Sequence, residues 1–586
     1  MDQQASAEAA GKRLCVLKFG SSVLGTEDDY RAVALEIYRH VRDGEKVVAV
    51  VSALAGETDA LLDQGARVGG HNPALLARVA RVGELHSAAL MALALAQVGV
   101  RTCTLDPHEM GLVAEGEPLD ANLTGLDAQG VLARFEDHEV VVVPGFTAGH
   151  AEHGVVTLGR GGTDLSAVFF ADRLNAHRVR LIKDVDGVYA EDPAKNPQAE
   201  RYAQLSYVEA AKASAGLIQE KAIHAAEAAD VLIEVASLGA GEATTIAHVP
   251  ARKSVPPKAR KLRVALLGCG AVGKGVLSYL ADRPDLFEVN PVLVRRPDRH
   301  EEPARFTVDP DKALANEPDL VVELMGGADY PAELMRAALR SGAHVVTANK
   351  AALASHYDAL HACAASGDAV LAYSASVGGG TPILETVARL KQDGGLVALQ
   401  GVMNGTANFL LGQLAQGKSF DAAVLKAQEL GFAEADPSTD VDGHDAADKL
   451  SLLIREAFGV AITPGAIPKG SLRDVTARDA QAALGRGEVL KQVSRCRLLP
   501  DGRVEAEVRI ASLPAAHPLA GAVNEENRFL VTDEAGKVHL LCGKGAGRWP
   551  TAAAVFADIM DVQRALLMRE AAEPAPSQAA PLRLSA

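Results

Sequence analysis

Residues 262–280, LRVALLGCGAVGKGVLSYL, put the tightest limit on what this chain can fold into. An apolar run, a Gly268-x-Gly270-x-x-Gly273 turn and a helix-forming segment follow one another without interruption. Glycines at this spacing permit a tight turn and let a pyrophosphate approach the helix N-terminus, with Ala271 and Val272 opening that helix. Two later apolar runs, DLVVELMGG at 319–327 and AHVVTANKA at 343–351, supply further parallel strands, the first bringing backbone near Gly326 to the same edge. Strands alternating with helices imply an α/β fold with ligands at the carboxyl edge of the sheet. After EVNPVLV the chain carries Arg295 and Arg296 where a site selective for NAD would place an acid, so two cations await a ribose 2′-phosphate and NADP(H) is expected over NAD(H).

A second stretch, AEADPSTDVDGHDAADK at 433–449, sets six carboxylates before one lysine. From His444 onward the apolar residues Ala446, Leu450, Leu453, Ile454 and Ala457 fall at helical spacing, and Asp445 and Lys449 stand one turn apart. A solvated pair of this kind contributes only about 0.2–0.5 kcal/mol. The surrounding acids point to more, because so many carboxylates repel one another unless a cation or an amine-bearing ligand offsets them.

At 586 residues the chain exceeds one core and should divide into two to four domains. Its net charge of −16 argues against a nucleic-acid partner. Six scattered cysteines without a CxxC pair read as reduced thiols in a cytoplasmic protein. The first 13 residues lack the apolar centre of a signal peptide, and no later run reaches the roughly 18 apolar residues of a membrane span, so no membrane partner is expected. Residues 568–586, rich in Ala and Pro, read as a disordered tail.

The second half resembles homoserine dehydrogenases through five motifs in the family's order: GCGAVGKG, TANKA, ASVGGGTP, GVMNGTANFLL and EADPSTDVDGHDAADK. The resemblance implies a Rossmann domain over 260–373 plus 545–567 and an α+β catalytic and dimerisation domain over 374–544; within it the apolar alternation of VEAEVRIAS at 504–512 suits an antiparallel sheet of the kind that pairs subunits, so a homodimer or higher homo-oligomer is expected. It implies that Glu434 and Asp440 hold the ammonium of L-homoserine, that Lys449 is the acid/base at its hydroxyl, and that Asp445 orients Lys449 or an intervening water. It places Lys350 near the nicotinamide and Gly547 at a cofactor contact. It also implies a Na⁺ or K⁺ on carbonyls that fall at Val377, Gly379 and Thr381, although the glutamate expected three residues before Val377 is Ser374, and Asp448 replaces an arginine common before the lysine.

The first half reads as strand, turn and helix units: RLCVLKFG with a small-residue turn, VVAVVSA, a helix with Glu84, one strand through VVVPGFTAG, the turn TLGRGGTD, and VRLIKDVDGVY. A lysine beside a small-residue turn reaches phosphate oxygens while backbone N–H groups cradle them. In this order the pieces resemble the amino-acid kinase fold and, within it, aspartate kinases, over 13–250. The resemblance assigns Lys18, Gly20, Asp184 and Lys221 to ATP with Mg²⁺, and Glu84, Arg160 and Thr58 to L-aspartate. KFGSSV is one residue shorter than the family's usual turn, and Lys183 stands where a small hydroxyl residue is usual.

The expected whole is therefore a fused pair: an aspartate kinase, and an enzyme interconverting L-homoserine and aspartate 4-semialdehyde. The competing reading is a dehydrogenase whose first half is an inactive interaction module. A basic connector, 249–264, leaves no room for the ACT domains that many fused enzymes carry, so feedback by threonine or lysine through such a domain is not expected.

Overall fold

The computed structural model describes residues 14–196, 198–254 and 260–572. Readings that fall on residues 1–13, 255–259 and 573–586 lie outside the described residues. Among those described, the strands form sheets of nine, seven, five and four members.

The nine-stranded sheet centres on β1 (Leu14–Phe19), buried at every residue and paired in parallel with Lys46–Val51 on one side. Helix α1 (Asp29–Arg42) follows β1, and β2 (Arg178–Lys183) pairs with β1 on its other side, also in parallel. Strands with both faces covered read as unbroken apolar runs, which is why these were visible in the sequence. The run through VVVPGFTAG is instead two strands, Val140–Pro144 in the nine-stranded sheet and Thr147–His150 in the four-stranded one. Phe146, in the left-handed region at φ 63°, turns the chain out of the first sheet and into the second. Part of the basic connector is also structured, since Arg252–Ser254 pairs antiparallel with Arg201–Leu205 at the sheet edge.

In the seven-stranded sheet β3 (Leu262–Leu267) leads through the glycine turn to α2 (Ala271–Ala281), and β4 (Leu320–Glu323) and β5 (His344–Thr347) extend the sheet in parallel. Helix α3 (Lys350–Ser366) begins directly after β5. The third domain is built on β6 (Leu396–Val402), from which the NGTANF segment starts a helix, Gly405–Ala415. Helix α4 (His444–Phe458) buries Ala446, Leu450, Leu453, Ile454 and Ala457, the face the spacing indicated. The alternating segment at 504–512 lies in β8 (Val504–Pro514), antiparallel to β7 (Glu488–Leu498).

Helix α5 (Arg548–Ala572) returns the chain to the seven-stranded sheet and packs on α2, where Gly275 lets Ala552 approach. It continues through Ala572, so the first residues of the expected disordered tail are helical. The same helix faces the first half: Ile37, Tyr38 and Val41 of α1 and Ala553, Phe556 and Met560 of α5 belong to one continuous apolar core. Among the described residues one helix, Pro73–Gln97, is long and apolar enough to cross a membrane; it carries Met91 and Leu95 fully buried in that same core.

Candidate active sites

In the seven-stranded sheet Leu267 pairs with Glu323 and Glu323 with Thr347, so three strands end at one level and the loops after them converge. Gly268, at φ 99°, closes the turn, and a side chain there would meet the Leu324 carbonyl at 2.6 Å. Gly273 packs against the Gly268 carbonyl, whereas the space beside Gly270 and Gly326 is open. Turn, close packing and an open approach are the three conditions for a pyrophosphate at the start of α2, so the residues present fit a dinucleotide. Arg295 and Arg296 are exposed just beyond the strand Val292–Leu293 and form no ion pair among the described residues. Gly547, at φ 116°, precedes α5 on the helix pair that carries this turn.

Below the edge the sequence reading assigned nothing to Glu323, yet it is fully buried at the end of β4. Burial holds its carboxyl above the usual carboxylate range, and it accepts from Thr347 Oγ1 at 2.6 Å and from the Met325 amide at 2.7 Å. Asn349 caps α3 by accepting from the Ala352 amide, and its Nδ2 donates to the Gly327 carbonyl at 2.9 Å. The TANKA motif thus fixes a loop as well as presenting a lysine.

That lysine, Lys350, crosses to the third domain. Its Nζ lies 3.0 Å from Asp445 Oδ1, and Lys449 Nζ lies 3.0 Å from Asp445 Oδ2. Asp445 is 4% exposed and the Lys449 side chain 11%, which excludes the solvated i,i+4 pair. Burial alone would raise the Asp445 carboxyl, but Lys449 and Lys350 together hold it well below the usual range. Asp445 in turn raises Lys350. Lys449 also donates to the Met403 carbonyl at 2.8 Å. Asn404, the N-cap of the Gly405–Ala415 helix, donates to Asp440 at 2.6 Å and Asp445 at 2.8 Å, and Thr406 Oγ1 lies 3.1 Å from Asp440 Oδ2. Burial, then the neighbouring Asp445, raises the Asp440 carboxyl, and the same two causes raise Asp448.

The acidic loop is not one cluster around one lysine. Asp442 turns away to Ser471 and Arg473, and Asp436 binds the Ser438 amide. Glu434, which the resemblance sets with Asp440 at the substrate ammonium, is exposed, and its backbone carbonyl accepts from Gln428. Lys350 was expected beside the cofactor alone, and its ion pair with Asp445 makes it part of this cluster as well. Asn404 and Thr406 were not singled out; the signal available was an NGT turn directly before an apolar helix.

At the third-domain entry Val377 lies in the short helix Ala375–Gly378, and Gly379 at φ 61° lies against the Gly545 carbonyl. The Thr381 carbonyl accepts from the Ile383 amide at 2.8 Å. Thr381 Oγ1 and Asn527 Oδ1 are buried without a hydrogen-bond partner, both against the 543–545 strand end. Neutral oxygens left over in this way suit a hard monovalent cation. Ser374, in place of the expected glutamate, donates its hydroxyl to Asp558 at 2.8 Å.

In the first half Lys18 of β1 and Lys183 at the end of β2 both reach Asp164, in the first turn of the helix Gly162–Arg173, at 2.8 and 3.1 Å. All three side chains are buried. Burial would raise the Asp164 carboxyl, but the two ammonium groups hold it below the usual range. Burial and then Lys18 push Lys183 down to about 8. Gly20 leaves the space that the Lys18 amine fills. Arg160 is exposed at the turn between Gly159 and Gly161, both at positive φ, and Thr58 is half-buried at the start of the helix Glu57–Arg67. Glu84 was expected to face a ligand ammonium; it is 2% exposed, accepts from the Ala53 amide at 2.9 Å, and is pushed by burial up to about 8. Asp184 is exposed next to Lys183. Lys221 was expected on the nucleotide side; exposed on the helix Glu220–Ala229, it pairs instead with Asp120.

Comparison with known proteins meets this geometry. Residues 268–374 match the family described as homoserine dehydrogenase, NAD binding domain, and residues 382–560 match the homoserine dehydrogenase family. A homoserine dehydrogenase of Lactococcus lactis is 35% identical over 318 residues, covering 51% of this chain and 74% of the relative. The chain belongs to the homoserine dehydrogenase family. The homoserine dehydrogenase of Bacillus subtilis is 34% identical over 320 residues, 52% of this chain and 73% of that one. A crystal structure of a homoserine dehydrogenase from Thiobacillus denitrificans, 33% identical, superposes with a TM-score of 0.51 over 53% of this chain and 75% of that one. Residues 13–237 match the amino acid kinase family, so this homoserine dehydrogenase carries an amino acid kinase domain at its N-terminal side. The fold class expected from the sequence, kinase sandwich, Rossmann domain and α+β catalytic domain, agrees with these matches.

Proposed function

We propose that the dehydrogenase half interconverts L-homoserine and aspartate 4-semialdehyde with NADP(H), and that the kinase half phosphorylates the side-chain carboxylate of L-aspartate from ATP. One observation carries the first assignment: Lys449 Nζ is held between Asp445 at 3.0 Å and the Met403 carbonyl at 2.8 Å. An ammonium has three donors, so this arrangement leaves one for the substrate oxygen. A bound nicotinamide supplies the hydride acceptor or donor. In the reduction direction the Lys449 ammonium gives its remaining proton to the carbonyl oxygen as hydride arrives and becomes the neutral amine; in the oxidation direction the neutral amine takes the hydroxyl proton and becomes the ammonium. Asp445 keeps Lys449 and Lys350 in place, and Lys350 adds positive charge where an oxygen becomes negative. Asp440, fixed by Asn404 and Thr406, receives the substrate ammonium, with Glu434 closing over it from the exposed loop. Gly268, Gly270, Gly273, Gly326 and Gly547 form the dinucleotide cradle, and the unpaired Arg295 and Arg296 favour a 2′-phosphate.

For the kinase half, the two buried lysines give Asp164 a net positive surround suited to phosphate oxygens, with Gly20 in the anion cradle. Asp184 is the exposed carboxylate available to Mg²⁺ travelling with ATP, and Arg160 suits a bidentate grip on the aspartate carboxylate. Glu84 and Thr58 complete the L-aspartate site, and Lys221 joins the nucleotide after leaving Asp120. Na⁺ or K⁺ belongs at Val377, Gly379 and Thr381. The protein works in the cytoplasm as a homodimer joined through the five-stranded sheet, whose edge strand Val538–Lys544 leaves Val538 and Leu540 exposed.

Both activities are measured on the purified full chain, with NADP⁺-dependent oxidation of homoserine and ATP-dependent aspartate hydroxamate formation. Lys449→Ala should abolish the first and spare the second, and Lys18→Ala the reverse. Retention of dehydrogenase activity in Lys449→Ala, or an absence of hydroxamate from the parent chain, overturns the corresponding assignment.

A further inference from the structure

A single guanidinium ties the two halves together at three carboxylates. Arg42 is the last residue of α1, in the kinase domain, and it is 6% exposed. It pairs with Asp558 and Asp561 of α5 and with Glu385 of the helix Ile383–Gln392, and its Nη2 donates to Ser374 Oγ at 3.3 Å. These partners belong to both crossings between the Rossmann and substrate domains. At the outward crossing the strand Leu371–Ala372 gives way at Ser374 to the substrate domain. At the return crossing α5 re-enters the Rossmann domain. Asp558 ties the two crossings, accepting from the Ser374 amide at 3.0 Å and its hydroxyl at 2.8 Å.

The same helix holds the hinge at further points. Tyr38 Oη donates to the Gly380 carbonyl at 3.2 Å, and Arg389 of the helix Ile383–Gln392 donates to the Asp43 carbonyl at 3.2 Å. This hinge sets how the Rossmann domain, which carries Lys350, meets the substrate domain, which carries Asp445 and Lys449. Their 3.0 Å contact spans the two domains, so a change in the angle between them alters it.

We infer that Arg42 of the kinase domain is a positioning residue of the dehydrogenase: it bridges three hinge carboxylates and fixes the angle at which Lys350 meets Asp445. Three carboxylates left together without it repel one another and spread the crossings apart. The effect on catalysis is indirect, since Arg42 touches neither Lys449 nor the glycine turn.

The test uses the full chain with Arg42→Gln, Arg42→Gly and Tyr38→Phe. In Arg42→Gln the homoserine KM is expected to rise and kcat to fall, each by about tenfold. The Kd for NADPH, which needs only the Rossmann domain, should stay within twofold, as should kinase activity. Ethylguanidine should restore dehydrogenase activity in Arg42→Gly, and butylamine should restore less, because the planar fork meets several carboxylates at once. Tyr38→Phe, which leaves every charge in place, should show the same KM effect at smaller size. If Arg42→Gln keeps parental dehydrogenase constants, the inference is wrong. It is equally wrong if both activities fall in parallel with KM unchanged, which is loss of folded protein alone. Should the glutamine variant not fold, an unchanged homoserine KM in Tyr38→Phe together with no response of Arg42→Gly to ethylguanidine overturns it.

Discussion

Each half of this chain places one buried aspartate between two lysines, Lys350–Asp445–Lys449 in the dehydrogenase and Lys18–Asp164–Lys183 in the kinase domain. The difference lies in what surrounds the trio. Asp440 and Asp448 stand beside Asp445, so the dehydrogenase cluster carries carboxylates in excess of its lysines. In the kinase trio two lysines face one aspartate, and Glu84, which feels the Lys18 ammonium, is pushed by burial up to about 8. One site therefore presents acids to an amine-bearing substrate, and the other presents uncompensated cations to phosphate. The same three side chains serve opposite ligands because their neighbours set the net charge.

The sharpest way to break this comparison is at the lysine with no substitute. Lys449→Ala should cost the dehydrogenase about 10²–10⁴ in kcat, read from steady-state oxidation of homoserine, with kinase turnover as the internal control. Asp164→Asn comes next, since it leaves two buried ammonium groups without a counter-charge; unfolding in urea should report about 3–5 kcal/mol lost. Asp445→Asn should be milder, about 1–3 kcal/mol, because Asp440 and Asp448 remain to face the two lysines. Equal losses in the two asparagine variants would remove the distinction drawn above.

A smaller effect is a slope with pH. Glu84 has its carboxyl raised from 4.5 to about 8, so the folded chain binds more protons than the unfolded one between those values. Its contribution to stability is full below pH 4.5 and is lost as pH rises through about 8. The Tm of the parent should fall relative to that of Glu84→Gln between pH 5.5 and 8, where the depressed Lys183, pushed down to about 8 from 10.5, contributes little. The smallest change expected is in cofactor choice, where replacing Arg295 and Arg296 by serine should narrow the preference for NADP⁺ over NAD⁺ about tenfold, read from the two kcat/KM values.

The two trios also differ in how far the sequence reveals them. Asp445 and Lys449 lie one helical turn apart on α4, and apolar spacing by itself sets both on one face of a helix. The kinase trio draws on residues 18, 164 and 183, brought together by parallel pairing of β1 with β2 and by a helix between them. No local pattern encodes that meeting, which is why Lys183 read as a departure from a family pattern and not as a partner. Glu323 was hidden for the same reason, its hydrogen bonds depending on the register of three strands. Glu434 shows the limit in the opposite sense: composition counts it among the acids, but not that its loop holds it exposed.

The apolar core that runs from α1 into α5 joins the two catalysts in a way the connector between them does not. The first half helps to cover Phe556 and Met560, so cutting the chain near residue 255 would bare an oily face on each fragment. Heat should accordingly melt both halves in one calorimetric peak, and fragments produced apart should cling to each other or precipitate.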